Sequence, residues 1–209
     1  MAEEGSNNNR SSDSVQRKWF SFSNISTFGL AIFMFLMIFN PNFKAYVIQA
    51  LMQVGFFQPD ISGGRETNME TIQATHFSDI RGQTINVADQ KGKVVFLNFW
   101  ATWCPPCIAE MPSINRLYLK YKDNADVVFL IVDVDGKIAE SKNFMVKRNF
   151  SLPLFVPASN IPKNYFSGTL PTTVILDKTG SVAFRHIGMA DYSSPEVSAL
   201  LDELVNVNQ

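Results

Sequence analysis

The eight residues at 100–107, WATWCPPC, hold both cysteines of a 209-residue chain and sit where two unlike periodicities meet. Before them, KVVFLNFW at 93–100 is a short apolar run bounded by Gly92, which suits a strand buried on both faces. After them, Ile108, Met111, Ile114, Leu117, Tyr118 and Tyr121 recur every three or four residues, the pattern of a helix with one apolar stripe, in which Pro112 should introduce a kink. The spacing of the cysteines leaves three uses open: a structural clip, part of a metal site, or a reactive pair.

A chain of this length buries a core without disulfide staples, so the cysteines are not needed as framework. From about Ile72 onward, strands and helices alternate without an internal repeat. THFSDIRGQTIN reads as a hairpin turning at Arg81-Gly82, with Phe77, Ile80 and Ile85 as its apolar anchors. Residues 126–135 form a second buried strand, 138–149 a helix, and LPLFVPAS an extended segment. Two more strands flank the turn at Asp177, Lys178, Thr179 and Gly180, and a last helix begins at Ser194-Pro195-Glu196 and runs through Leu200, Leu201 and Leu204. This order implies an α/β fold, a mixed sheet flanked by helices, over 72–209.

The first nineteen residues are polar and rich in Ser and Asn, and read as a disordered tail. From Trp19 to Phe43 no residue is charged, and 28–39 is almost wholly apolar. Residues 20–43 therefore read as an N-terminal transmembrane helix, since a bilayer core of about 30 Å asks for roughly 20 apolar residues. Ser21, Ser23, Asn24, Ser26 and Thr27 weaken the first third of that span. The segment ends FNPNFKAY rather than in small residues, which argues against a cleaved signal peptide. Arg10, Arg17 and Lys18 precede it and only Lys44 follows closely, placing the tail in the cytoplasm and the rest of the chain outside it. In 44–71, Ala45, Ile48, Leu51, Met52 and Gly55 fall near one helical face, and 58–68 is a turn-rich linker. That face has two open placements, on the membrane interface or on the soluble domain. A net charge of -1 with no basic stripe argues against nucleic acid as a partner.

The residues at 92–112, GKVVFLNFWATWCPPCIAEMP, together with TLPTTVILDKTG at 169–180, resemble the membrane-tethered TlpA and ResA group of thioredoxin-fold thiol-disulfide oxidoreductases of bacteria. The resemblance covers roughly 74–209. It implies a thioredoxin fold, a catalytic domain facing the periplasm or other extracytoplasmic side of the inner membrane, and a redox-active Cys104–Cys107 disulfide with no other cofactor. It also implies a cis peptide at Leu170-Pro171 beside the disulfide, disulfide-containing client proteins as partners and a membrane thiol donor of electrons. On the residues alone, Pro171 is equally well a strand-edge proline.

Within that resemblance the roles divide. Cys104, at a helix start where unpaired N–H groups and the helix dipole favour thiolate, attacks the client disulfide; Cys107 resolves the mixed disulfide. Pro105 and Pro106 stiffen the bridge and remove two backbone donors. Trp100 and Trp103 pack around the site, although core filling is enough to explain Trp100. Bringing a thiol from about 8.5 to about 7 takes roughly 2 kcal/mol, within reach of a helix terminus, whereas about 3.5 would take roughly 7 kcal/mol. No His, Lys or Arg stands inside or beside the motif, so a reductant is favoured over an oxidant. Asn98 stands where thioredoxin carries a buried Asp. Glu110 matches a Glu of the ResA-like group and is the candidate proton shuttle for Cys107; its plain alternative is a solvated helix carboxylate. The rival functions are a metal-binding module, for which one cysteine pair with His76 and His186 is a thin ligand set, and a client-docking module without catalysis.

Overall fold

Residues 16–53 and 74–207 are described by the structure, a computed structural model. The chain divides into two compact units, 1–40 and 41–209. In the first, helix α1 spans Gln16–Phe39. The tail expected over 1–19 lies outside the described residues up to 15, and 16–19 already belong to α1. The span expected over 20–43 is divided, because α1 stops at Phe39 and a new helix, α2, occupies Pro41–Gln53. Pro41 has no N–H to continue α1 and suits the first turn of a new helix. Among the described residues no single helix is both long and apolar enough to cross a membrane. Phe28, Leu30, Ile32, Phe35, Ile38 and Phe39 of α1 nevertheless stand exposed. The linker expected at 58–68 lies outside the described residues.

The second unit is built on a seven-stranded mixed sheet. Its strands are β1 (His76–Asp79), β2 (Thr84–Asn86), β3 (Val94–Trp100), β4 (Val127–Asp133), β5 (Leu154–Pro157), β6 (Thr172–Leu176) and β7 (Val182–Ile187), in the order β2-β1-β5-β4-β3-β6-β7. Strands β3, β4 and β5 are parallel; β6, β7, β1 and β2 each add antiparallel. The hairpin turns where expected, with Gly82 at φ 78°, a conformation glycine adopts without strain. Ile80, expected as an apolar anchor of that hairpin, is instead 50% exposed, because it stands in the turn beyond the end of β1.

Every residue of β3 is buried, as a central strand covered on both faces requires. Alternation sorts them: Val94, Phe96 and Trp100 join the cluster beneath α3 (Pro105–Tyr121), α4 (Ile138–Lys147) and α5 (Pro195–Asn206), while Val95, Leu97 and Phe99 join Phe77, Leu130, Val132, Tyr165, Val174 and Leu176 on the other face. Full burial of such a side chain contributes about 1.5–3 kcal/mol, so β3 is a principal anchor of both halves of the core. The same alternation turns Asn98 toward α3. Helix α4 ends two residues before the expected boundary, where Asn149 takes φ 54° and the Phe150 and Asn149 N–H groups close on Met145 and Val146 carbonyls. Helix α3 runs unbroken through Pro112.

Of the two placements open for 44–57, the described part of α2 packs on the domain. Ala45 is 2% exposed against Ile108 and Ala109 of α3, with Ile48, Phe144 and Met189 around them. Leu51, assigned to the same apolar face, stays exposed. Met52 and Gly55 lie outside the side chains described.

Candidate active site

The C-terminal end of β3 delivers the chain through residues 101–103 to Cys104, the N-cap of α3 in extended conformation. Pro105 and Pro106 fill the first two helical positions, where the absent N–H groups would have had no intrahelical acceptor. The first remaining amide, Cys107 N–H, donates to Cys104 Sγ at 3.3 Å. The motif thus gives the Cys104 sulfur one backbone donor, and that donor belongs to the partner cysteine. The two residues form a disulfide with Cα atoms 5.3 Å apart, and both are buried in an otherwise apolar cluster.

Register brings the second half of the site alongside. Thr172 pairs with Phe99 and Thr173 with Asn98, so Pro171 lies against the end of β3 that leads to Cys104. The Leu170–Pro171 peptide is cis, Pro171 is buried, and its carbonyl accepts the Gly188 N–H at 2.9 Å. Leu170 is half-buried and packs against both core clusters. Trp103, expected to pack around the site, is 58% exposed, its indole Nε1–H donating to Asp135 Oδ2 at 2.6 Å. It stands as an apolar plate on the rim one residue before Cys104.

Glu110 departs furthest from its plain reading. Rather than a solvated helix carboxylate it is 0% exposed, one turn beyond Cys107 on α3. Its Oε1 accepts from Asn98 Nδ2 at 2.8 Å and its Oε2 from the Ala190 N–H at 3.3 Å. Both bonds favour the ionised form, but burial outweighs them and pushes Glu110 from the usual carboxylate range up to about 8. Asn98 Nδ2 also donates to Thr173 Oγ1 at 2.9 Å, and Asn98 Oδ1 is buried without a partner. Tyr192 lies close by: burial first, and the Glu110 charge second, raise its phenol well above its ordinary value. Ser113 Oγ donates to the Glu110 carbonyl and accepts the Tyr192 N–H, tying α3 to the loop after β7. The buried acid of this site thus stands on the helix α3, with Asn98 of β3 as its partner.

Asp135, Thr173, Ala190 and Tyr192 belong to the site without being marked by the sequence pattern. Thr173 lies inside the TLPTT stretch; Ala190 acts through its backbone, for which side-chain patterns give no signal. His76 and His186 stand on β1 and β7, toward opposite edges of the sheet, and burial lowers His186. Among the described residues no group of three or more His, Cys, Asp or Glu is placed to hold a metal ion.

The family model described as Redoxin matches residues 65–203. The chain is 41% identical over 112 residues to the thiol-disulfide oxidoreductase ResA of Bacillus anthracis, a match covering 53% of this chain and 64% of that protein. It thus spans less than two thirds of that relative's length. To the thioredoxin-like protein YneN of Bacillus subtilis (strain 168) it is 33% identical over 136 residues, 64% of this chain and 80% of that one. Among solved structures, the pneumococcal exposed lipoprotein thioredoxin Etrx1 from Streptococcus pneumoniae strain TIGR4 is similar with a TM-score of 0.53 at 28% identity, covering 63% of this chain and 100% of that chain.

Proposed function

The chain belongs to the Redoxin family, and on that footing we propose that it is a protein thiol-disulfide oxidoreductase that reduces client disulfides through Cys104 and Cys107. The observation that carries this reading is the disulfide at the N-terminus of α3, with Cys107 N–H on Cys104 Sγ and the buried Glu110 one turn away. In the reduced protein Cys104 thiolate attacks one sulfur of the client disulfide. The client S–S bond breaks, a Cys104–client bond forms, and the departing client thiolate takes a proton. Glu110 in its ionised form accepts the proton of Cys107. The resulting thiolate attacks Cys104 Sγ, releasing the second client thiol and restoring the Cys104–Cys107 disulfide. Two electrons leave the protein per cycle, so a dithiol donor must return them; a membrane thiol carrier fits a site outside the cytoplasm.

Glu110 suits the relay because its proton affinity lies near that of a thiol, so transfer between them is nearly balanced. Trp103, Leu170 and Pro171 form the rim against which a client segment lies. No His, Lys or Arg stands inside or beside the Cys104–Cys107 motif to stabilise thiolate strongly, which supports reduction as the direction of transfer.

Helix α1, with its exposed apolar side chains, serves as the membrane anchor, and the redox domain lies on the extracytoplasmic side. A reporter fused after Gln209 that reads as cytoplasmic would overturn that placement. For the chemistry, Cys107→Ala should accumulate a covalent mixed disulfide with clients, while Cys104→Ser loses insulin reduction altogether. Retention of insulin reduction by Cys104→Ser, or stoichiometric metal binding without exchange activity in the wild type, would refute the oxidoreductase.

A further inference from the structure

Helix α2 lies outside the residues matched by the family model, 65–203, yet it is built into the redox domain. Its contacts are with the elements that frame the disulfide. Ala45 seats against Ile108 and Ala109, the two residues directly after Cys107, each 2% exposed. Met189 belongs to the same cluster, and it follows Gly188, whose N–H bonds the carbonyl of Pro171. Phe144 completes the cluster and also packs on Trp100, the rings tilted at 47° with centroids 5.2 Å apart. From the other side Arg148 donates to Asn42 Oδ1 at 2.9 Å, and its guanidinium lies 5.2 Å from the Tyr46 ring centre and 5.4 Å from that of Phe144. Small side chains at Ala45 and Ala109 let the two helices approach closely, and the docked helix adds a ridge of roughly 10 Å beside the site.

We infer that α2 is a specificity element of the redox site, a wall along the Ile108–Met189 flank of the Cys104–Cys107 disulfide that disfavours bulky folded clients. This rests on the oxidoreductase reading above and concerns which disulfides reach Cys104. A small disulfide clears the ridge from any side. A folded protein must bring its disulfide to a buried sulfur past a helix that its own surface cannot overlap. Removing the wall therefore changes the ratio between large and small substrates, whereas damage to the chemistry moves both together.

The test uses the full chain in detergent. Ala45→Glu places a charge between Ile108 and Ala109 and should release α2. Arg148→Glu weakens the same docking from the surface without touching the core. The readouts are second-order rates with insulin and with oxidised glutathione, and amide exchange across 43–51. With α2 released, the insulin-to-glutathione rate ratio should rise about fivefold in Ala45→Glu and about twofold in Arg148→Glu. An unchanged ratio with α2 released, or both rates changing in parallel, would overturn the wall. So would Ala45→Glu in which 43–51 stays protected, since the Ala45 contact would then not hold the helix. Failure of the wild type to reduce either substrate would instead sink the oxidoreductase reading on which the wall depends.

Discussion

A hydrogen-bonded carboxylate stands at each end of α3, and the two behave as different materials. Near the N-terminus, Glu110 accepts from Asn98 and Ala190, 0% exposed and with no cation in contact among the described residues. At the C-terminus, Tyr121 donates to Asp202 of α5 at 2.6 Å, and Lys120 stands 3.4 Å from the same carboxylate with half of each charged side chain exposed. Both carboxylates have good partners. Desolvation separates them, because a hydrogen bond between neutral and charged groups offsets only part of the cost of a buried charge. One end of the helix therefore holds a proton near pH 8, and the other a solvated ion pair of small worth.

Glu110→Gln should erase this contrast most completely. If Glu110 accepts the Cys107 proton, decay of the mixed disulfide should slow about 100-fold, and the rise in that rate through pH 8 should disappear. An unchanged decay rate and thiol titration would leave Glu110 without a role in exchange. Stability gives an independent readout. The folded state binds this proton more tightly than the unfolded chain does, so the contribution of Glu110 is full below about pH 4.5 and is lost as pH rises through about 8. Denaturant titrations should find Glu110→Gln gaining on the wild type by a few kcal/mol between those limits.

Asn98→Ala probes the same contrast at intermediate size. Losing a donor that favours the carboxylate should move the Glu110 inflection further up, by about one pH unit, and lower exchange at pH 7 severalfold. A shift downward would mean that Asn98 stabilises the protonated acid instead. At the other end, Asp202→Asn should cost under about 1 kcal/mol in thermal or denaturant unfolding and leave exchange rates untouched. A loss of exchange activity there would show that the two ends of α3 are coupled.

Much of the fold is legible in the chain because it rests on short-range pattern. The seven buried residues of β3, the apolar stripe of α3 and the turn at 177–180 are each written within a few consecutive residues. The cysteines and the prolines between them are legible for the same reason. Less visible is the division at Pro41, where an unbroken uncharged run hides a helix boundary that a single proline imposes. The exposure of Trp103 and Ile80 runs against their apolar character, which predicts burial only on average; one is pinned outward by Asp135 and the other stands in a turn.

Local order along the chain is enough to establish that a buried strand, a cysteine pair and an amphipathic helix follow one another, and so where the reactive sulfurs lie. Their surroundings come from long-range packing. Glu110 meets an amide 12 residues away and a backbone N–H 80 residues away. Those partners arrive through sheet register and the packing of the loop after β7, and no local periodicity encodes them. The docking of α2 is of the same kind, since the apolar face on which the sequence places Ala45 suits a membrane interface as well as a protein surface. Burial is a property of the assembled surfaces, and the proton affinity of Glu110 follows from that assembly.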